Sequence, residues 1–569
     1  MKRWEMAHDP IPRRHIIEER IMKEGKLTKS YYYTPGEIPP GVTLGEYFEK
    51  TCARYPDKPA FVFRDKTLTW KALEQIVDRL ALALIDLEIG HGDMVGVLFP
   101  NRLEFIYASL ALAKIGAVNV PIADRLRERE IRHILKRTGA VAIIMTPEFW
   151  GFSFSDLISE IRKELPQLKH VIVSEKTSYP HEHLMEDLVD KNREDRYPDD
   201  YYHRVYLNEY PVAADDLLEI VFTSGTTGDP KGVMHTHNTR CRSALGTING
   251  TRLTKEDTWL IMVPLSHTTA LVNAFYASVI SGSCGVLLET WNLEEALREM
   301  ERNKVTIPIG VPTMPIMMLQ HPDLKKYDLS SLRTMVLAGS PLPIEIARQI
   351  IERLGCYVTN AYGMTETAIS NITSLDDPIE VVCETVGKPQ PGMEHKIVDE
   401  NRKIVPIGVP GEACARGQNR CIGYFKDPER TAAVIDDRGW IYSGDLAKMD
   451  ADGNLIIVGR IKDMILRGGE NISPTEIEDI LYTYPKIRQV AVVGYPDERL
   501  GEKSCACIIP NEGEVITYDE IKAFFLDKVA RYKIPDRIEL MDEFPTTPSG
   551  KIRKVSLREI LAKMVNDEK

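Results

Sequence analysis

Residues 223–232 read TSGTTGDPKG. Thr223, Ser224, Thr226 and Thr227 supply hydroxyl donors, Lys231 supplies a positive charge, and Gly225, Gly228 and Gly232 supply a backbone that can take positive φ and come close to an anion. Hydroxyls, backbone amides and an ammonium gathered this tightly form a nest for the β and γ phosphates of a nucleotide. No Gly-Lys-Ser/Thr closes the run, so it is not a Walker A loop.

An anion nest of this kind needs a rigid strand end behind it. The apolar run 217–222 predicts that strand, with the loop leaving its end. Helical periods and short β-branched runs alternate through most of the first 350 residues: 69–87 and 103–115 read as helices, 94–99 and 140–145 as strands. Such alternation predicts α/β layers joined by crossovers. The most apolar stretch, 105–123, is interrupted by Lys114 and Gly116 and closed by Pro121. It predicts a packed helix running into a buried strand and no membrane span. Residues 176–216 are polar and tyrosine-rich and read as a surface excursion.

From Val386 short strands, glycine turns and the pair Asp452, Gly453 dominate, which predicts a β-rich subdomain over 385–460. A compact α+β pattern follows. Ser473 can cap a helix, Pro474 suits its first position, Glu476 can close a capping box, and Ile477, Ile480, Leu481 and Tyr484 share one face. The expected fold is α/β and multidomain: a large N-terminal domain of α/β-layered sheets over 1–460 and a small α+β C-terminal domain over 461–569.

Bulk properties narrow the function. A chain of 569 residues exceeds one hydrophobic core. Its 43% hydrophobic and 27% charged residues fit a soluble globular protein. A net charge of -12 argues against nucleic-acid binding. None of the nine cysteines forms a CxxC pair, so no structural zinc is expected, and the thiols read as reduced. The first twenty residues lack the apolar run of a signal peptide, and the last four, NDEK, are no lipidation or peroxisomal address. A cytoplasmic location is the expectation. A homodimer is compatible with the sequence, which does not fix the oligomeric state.

The loop at 223–232 resembles the phosphate loop of the adenylate-forming superfamily, the acyl-CoA synthetases and AMP-dependent ligases. Four further runs are similar to that family's motifs, in its order: NAYGMTET over 360–367 (adenine and magnesium), GWIYSGDLA over 439–447 (ribose), GRIKDMILRGGENI over 459–472 (hinge) and PSGKIRK over 548–554 (catalytic lysine). Five motifs in register span most of the chain.

The resemblance implies a site. Glu366 would ligate Mg2+, with Thr226 as a second candidate, because a hard cation takes one carboxylate plus phosphate and water oxygens. Thr365 would bond the α-phosphate. Tyr362 would lie against adenine, flanked by Asn360, Ala361 and the Gly339, Ser340 turn. Asp445 would accept both ribose hydroxyls, and Arg460 would touch the ribose. Lys551 would reach the reacting carboxylate. The substrate acid attacks the α-phosphate of ATP, pyrophosphate leaves, and a thiol takes the acyl group from acyl-AMP; no covalent enzyme nucleophile is needed. The C-terminal domain is expected to swing about Lys462 between the two reactions. Gly468 and Gly469 would then face the site as a strand without side chains and leave room for a pantetheine arm.

For the acid, the candidate walls are 267–276, 310–315, Ala338, Gly339 and 363–365, with no lysine or arginine placed to pair a second carboxylate. A monocarboxylic acid follows. Acetyl-specific relatives carry tryptophan where this chain has Gly363, so an open pocket and an acid larger than acetate are expected. His267 would gate the pocket. His267, Thr268, Thr269 replace the His-Asn pairing of relatives that use hydroxybenzoates, and RRHIIEER at 13–20 is similar to relatives acting on alicyclic or medium-chain acids. Because the chain ends soon after Lys551, free coenzyme A is the expected acceptor, with a separate carrier protein as the alternative. A non-catalytic nucleotide sensor on the same fold is the reading from another class.

Overall fold

The computed structural model describes residues 28–29, 41–175, 179–190, 211–223, 230–340, 342–497, 499–526, 528–547 and 551–567. Residues 224–229 of the phosphate-loop run, 548–550 before Lys551 and the RRHIIEER segment lie outside them, so Ser224, Gly225, Thr226, Thr227 and Gly228 have no structural account here.

Among the described residues, two large sheets make up most of the N-terminal domain. The eight-stranded sheet runs Glu182–Leu184, His170–Val173, Ala142–Met145, Met94–Leu98, Val118–Ile122, Leu217–Thr223, Lys231–Thr236, Gly423–Tyr424. It is parallel up to Leu217–Thr223 and antiparallel beyond. The nine-stranded sheet has a parallel centre, Thr334–Ala338 beside Ile307–Gly310 and Tyr357–Met364, with antiparallel strands at both ends. Parallel pairs need long crossovers and both faces covered. The helix Leu103–Ile115 is one such crossover, and every residue of it except Glu104 is buried. Lys114, the charge in that apolar run, is buried and ion-paired with Glu49 and Asp78. The helix Trp70–Asp86 begins at its cap Thr69, as its periodicity predicts.

The β-rich stretch is a five-stranded antiparallel sheet ordered Thr28–Lys29, Met393–Val398, Gly411–Gly417, Ile441–Met449, Leu455–Arg460. The small C-terminal domain has its own sheet, with Ile487–Asp497, Gly501–Pro510 and Arg537–Leu540 side by side, and its own core around Ile477, Leu481, Val492, Ile508 and Phe525. The nine cysteines are all free and all but Cys284 are buried. Burial pushes each of the Cys356, Cys414 and Cys421 thiols up to about 12. No helix among the described residues is long and apolar enough to cross a membrane.

Three local expectations change. The stretch 176–216 is not wholly an excursion, because Glu182–Leu184 pairs in parallel with His170–Val173 and extends the sheet by one edge strand. Gly468 and Gly469 are not strand residues but the two-residue turn between Ile465–Arg467 and Glu470–Ile472, with φ of 61° and 91°. Positive φ at both central positions is what such a hairpin turn demands, and glycine takes it without strain. The helix Pro474–Tyr482 has Ser473 as its cap and Pro474 at its start, but the capping box is half made. The Glu476 carboxylate leaves the helix end and binds Lys533 at 2.6 and 2.8 Å.

Ser473 has a second role. Its hydroxyl accepts from the Glu476 amide and donates to the Val458 carbonyl at 2.6 Å, which ties the first C-terminal helix to the last N-terminal strand. Ser473→Ala therefore loses a cap and a tether and is expected to cost roughly 1–2 kcal/mol in denaturant unfolding, while Ser473→Thr keeps most of it.

Candidate functional site

Strand ends converge in one cleft. Gly310 pairs with Leu337 and Ala338 with Ala361, so the carboxyl ends of three neighbouring strands deliver Gly310, then Gly339 and Ser340, then Tyr362 to Glu366 to the same rim. Crevices at the carboxyl ends of parallel strands are where α/β sheets take ligands. The second sheet brings Thr223 and Lys231, which face each other at the open end of the hairpin holding residues 224–229. The Thr223 hydroxyl is buried and has no hydrogen bond among the described residues.

Glu366 and Lys231 join the two sheets. The Lys231 ammonium donates to Glu366 Oε1 and to the Tyr424 hydroxyl, both at 2.8 Å, and the Tyr424 hydroxyl donates to Glu366 Oε1 at 2.8 Å. Burial, then the Glu366 carboxylate, push the Tyr424 phenol far above its ordinary range and keep it a donor. Glu366 Oε2 makes no hydrogen bond to a described residue, which leaves one oxygen of a nearly buried carboxylate for a further cation. Thr365 is fixed through its backbone: His235 Nε2 lies 2.9 Å from its carbonyl, and since a carbonyl only accepts, the His235 proton sits on Nε2. Complete burial holds His235 neutral.

Asp445 is held from two sides. Arg460 Nε lies 2.8 Å from Oδ1, and the Tyr362 hydroxyl donates to Oδ2 at 2.7 Å. Asp445 and Arg460 are register partners on adjacent strands, so the pairing follows from the hairpin itself. The carboxylate is 5% exposed, whereas about half of the Arg460 side chain is in water, which leaves the guanidinium free to turn toward a ligand.

Lys551 lies on this floor. A Cβ at Gly339, where φ is 93°, would stand 2.6 Å from Lys551 Cε and 3.1 Å from Nζ, so a side chain there would be strained and would push the lysine from this position. Among the described residues the ammonium pairs with no carboxylate. Burial, then the Arg460 charge, lower its pKa to about 8, with Asp445 opposing. His267 is close enough to feel it: burial, then Lys551 and Arg240, lower the imidazole to about 3. His267 Nδ1 accepts the Thr269 amide at 3.2 Å, so in the neutral ring Nε2 carries the proton. A half-buried ammonium, a neutral imidazole donor and two braced carboxylates can hold a polyanion and a reacting carboxylate together.

Other expected residues stand apart or act differently. The Asn360 side-chain amide donates to the Thr385 carbonyl at 2.9 Å, so Asn360 braces the neighbouring chain with it. Gly363 has a reason other than an open pocket: a Cβ there would meet the Ala368 carbonyl oxygen at 1.7 Å, where the hairpin register shifts between Tyr362 and Gly363. Lys462 sits in the 3-10 turn Ile461–Asp463 between the domains, with burial lowering its pKa. The Gly468, Gly469 turn is tied to its own domain, the Gly468 amide donating to the Leu500 carbonyl at 2.8 Å. Sequence reasoning missed Tyr424 and His235, whose partners lie 58 and 130 residues away.

Residues 48–425 match the AMP-binding enzyme family, and residues 476–551 match the AMP-binding enzyme C-terminal domain. The chain is 35% identical over 532 residues to the medium-chain fatty-acid–CoA ligase of Escherichia coli (strain K12), covering 92% of each. It is 34% identical over 549 residues to the mitochondrial medium-chain acyl-CoA ligase ACSF2 of Homo sapiens, covering 92% of this chain and 88% of that one. Its fold superposes on the anthranilate CoA ligase AuaEII in complex with anthranoyl-AMP with a TM-score of 0.85 at 27% identity, covering 94% and 100%. The chain belongs to the AMP-binding, adenylate-forming enzyme family.

If Gly363 is required by the backbone, Gly363→Ala is expected to destabilise by about 3 kcal/mol in denaturant unfolding and to abolish acid-dependent turnover. A variant that keeps native stability and merely prefers shorter acids returns the residue to a pocket role.

Proposed function

We propose that the chain is an AMP-forming acyl-CoA ligase that converts a carboxylate and ATP to acyl-AMP and pyrophosphate and then passes the acyl group to coenzyme A, releasing AMP. One observation carries this reading: an ammonium, Lys551, half-buried over Gly339 without a carboxylate partner among the described residues, beside the Asp445–Arg460 pair and His267. A desolvated cation with no counter-ion favours an anion in its place.

In this reading the nest at 223–231 takes the β and γ phosphates, with Lys231 among its donors. Ser224 to Gly228 are assigned there by their residue types alone. Asp445 accepts the ribose hydroxyls, Tyr362 lies beside the adenine with Ala361, Gly339 and Ser340, and the Thr365 hydroxyl bonds the α-phosphate. The acid's carboxylate attacks the α-phosphorus and pyrophosphate leaves toward the nest. Lys551 neutralises charge on the reacting oxygens, and His267 Nε2–H orients the carboxyl. Mg2+ fits the free Oε2 of Glu366, where it would add positive charge to the triphosphate. For acyl transfer the C-terminal domain turns at Lys462, removes Lys551 and presents the Gly468, Gly469 turn to the pantetheine arm.

The acid is a monocarboxylic acid larger than acetate, medium-chain or alicyclic. Two relatives named as medium-chain ligases support the size. Arg240, the cation behind His267, is neutralised by Glu219 and so offers no site for a second carboxylate. Nine free cysteines support a reducing, cytoplasmic setting. Acid-dependent exchange of pyrophosphate into ATP across straight-chain, branched and alicyclic acids, followed by AMP release with coenzyme A, tests the whole; a protein that splits ATP with no acid overturns it.

Lys551→Ala is expected to lower adenylation by roughly 10²-fold or more and to spare thioester formation from supplied acyl-AMP. Equal loss in both half-reactions overturns the swing. An ammonium with a lowered pKa is charged below that value and neutral above it. Adenylation by the free enzyme, read as kcat/KM, should therefore fall as pH rises through about 8, and the residual activity of Lys551→Arg should lack that limb.

A further inference from the structure

Behind His267 lies a charged cluster that none of these steps uses. Glu219, four residues before Thr223, and Arg240, on the helix His237–Thr251, are both fully buried. Arg240 Nε donates to Glu219 Oε1 at 2.5 Å, and the Tyr276 hydroxyl donates to Oε2 at 2.5 Å. Arg240 Nη2 donates to the Thr268 hydroxyl at 3.3 Å, while Nη1 is buried with no hydrogen bond among the described residues.

These contacts have a geometry. Thr268 follows His267, and the short turn Thr268–Ala270 continues into a π-helical segment, Leu271–Tyr276. Arg240 holds the first residue of this stretch and Glu219 holds the last. The π-helix is a poor hydrogen-bonding geometry that survives in short pieces, often at functional sites, and here the 268–276 stretch that contains it is fastened at both ends to one ion pair. The pair is costly: two charges taken from water are no more stabilising than well-packed apolar residues of the same volume. What a planar guanidinium adds is direction, because its N–H groups leave at fixed angles. The carboxylate it grips stands on the strand that feeds the phosphate nest, so the nest and the His267 turn are referred to the same fixed point.

We infer that Glu219 and Arg240 are positioning residues for the acid: they clamp the 268–276 segment at both ends and thereby hold the His267 imidazole beside Lys551. This rests on the reading of His267 as the group that meets the acid. The end of the clamp next to His267 acts through one hydroxyl, that of Thr268, which can be removed without disturbing either charge.

The test measures acid-dependent pyrophosphate exchange and thermal unfolding of the full chain for Thr268→Val, Thr268→Ser, Arg240→Met and the Arg240→Met, Thr268→Val pair. Thr268→Val is expected to raise KM for the acid about 10-fold, with KM for ATP within about 2-fold, as loss of a bond to a charged group predicts. Its Tm should stay within about 4 °C of the native value, and Thr268→Ser should restore the acid KM. Arg240→Met should reproduce the acid effect, with a lower Tm, and the pair should raise KM no further. If Arg240→Met does not fold, the two Thr268 variants decide alone. An unchanged acid KM in Thr268→Val, or acid and ATP KM rising together, overturns the clamp and leaves the ligase reading standing. A native protein inactive with every acid overturns both.

Discussion

An ammonium taken out of water must be met by an anion or give up its proton, and the cleft of this protein is arranged around one that is not met. Lys551 arrives from the C-terminal domain, lies over a glycine and finds two neighbours of opposite sign, Arg460 and Asp445, already paired to each other. The result is a cation with its pKa lowered to about 8 but with charge still available at neutral pH. The two carboxylates of the cleft are braced so that they do not collapse onto that charge: Asp445 by Tyr362 and Arg460, Glu366 by Lys231 and Tyr424.

Such bracing needs elements that do not move relative to one another, which the two large sheets provide. Glu366 comes from one sheet and its partners Lys231 and Tyr424 from the other, so a single carboxylate couples them at their rims. Backbone freedom is used sparingly. Gly339 makes room for a side chain from another domain, and Gly363 avoids a carbonyl within its own hairpin. The C-terminal domain, by contrast, has a core of its own, and among the described residues it meets the rest through the Ser473 bond to Val458 and through Lys551 over Gly339. A body with its own core and a light seam can turn as a unit.

How much of this the sequence disclosed depended on the distance over which each residue acts. The helix at 103–115, its following strand and the cap at Ser473 were legible because they are decided within a few positions. The α/β layering and the separate C-terminal unit followed from alternation and a change of texture. The motifs named Lys231, Tyr362, Glu366, Asp445, Arg460 and Lys551, which the structure brings together. What stayed hidden were pairings across the fold. Tyr424 reads as an ordinary aromatic until the strand beside it places it on Glu366, and Arg240 reads as a surface charge until Glu219 is found beneath it. Gly363 invited a pocket explanation because a missing side chain looks the same in a sequence whether it clears a ligand or a carbonyl. Glu476 fitted a local rule and was captured by Lys533 from 57 residues away.

The state of the thiols has a practical consequence. With every cysteine free, all but Cys284 buried and several held near pKa 12, the chain presents almost no thiolate to solvent at neutral pH. A single cysteine introduced on the surface of the C-terminal domain would react with maleimide dyes against a quiet background. The enzyme is thus ready for a fluorescence test of the proposed interdomain rotation without first stripping its native sulfur.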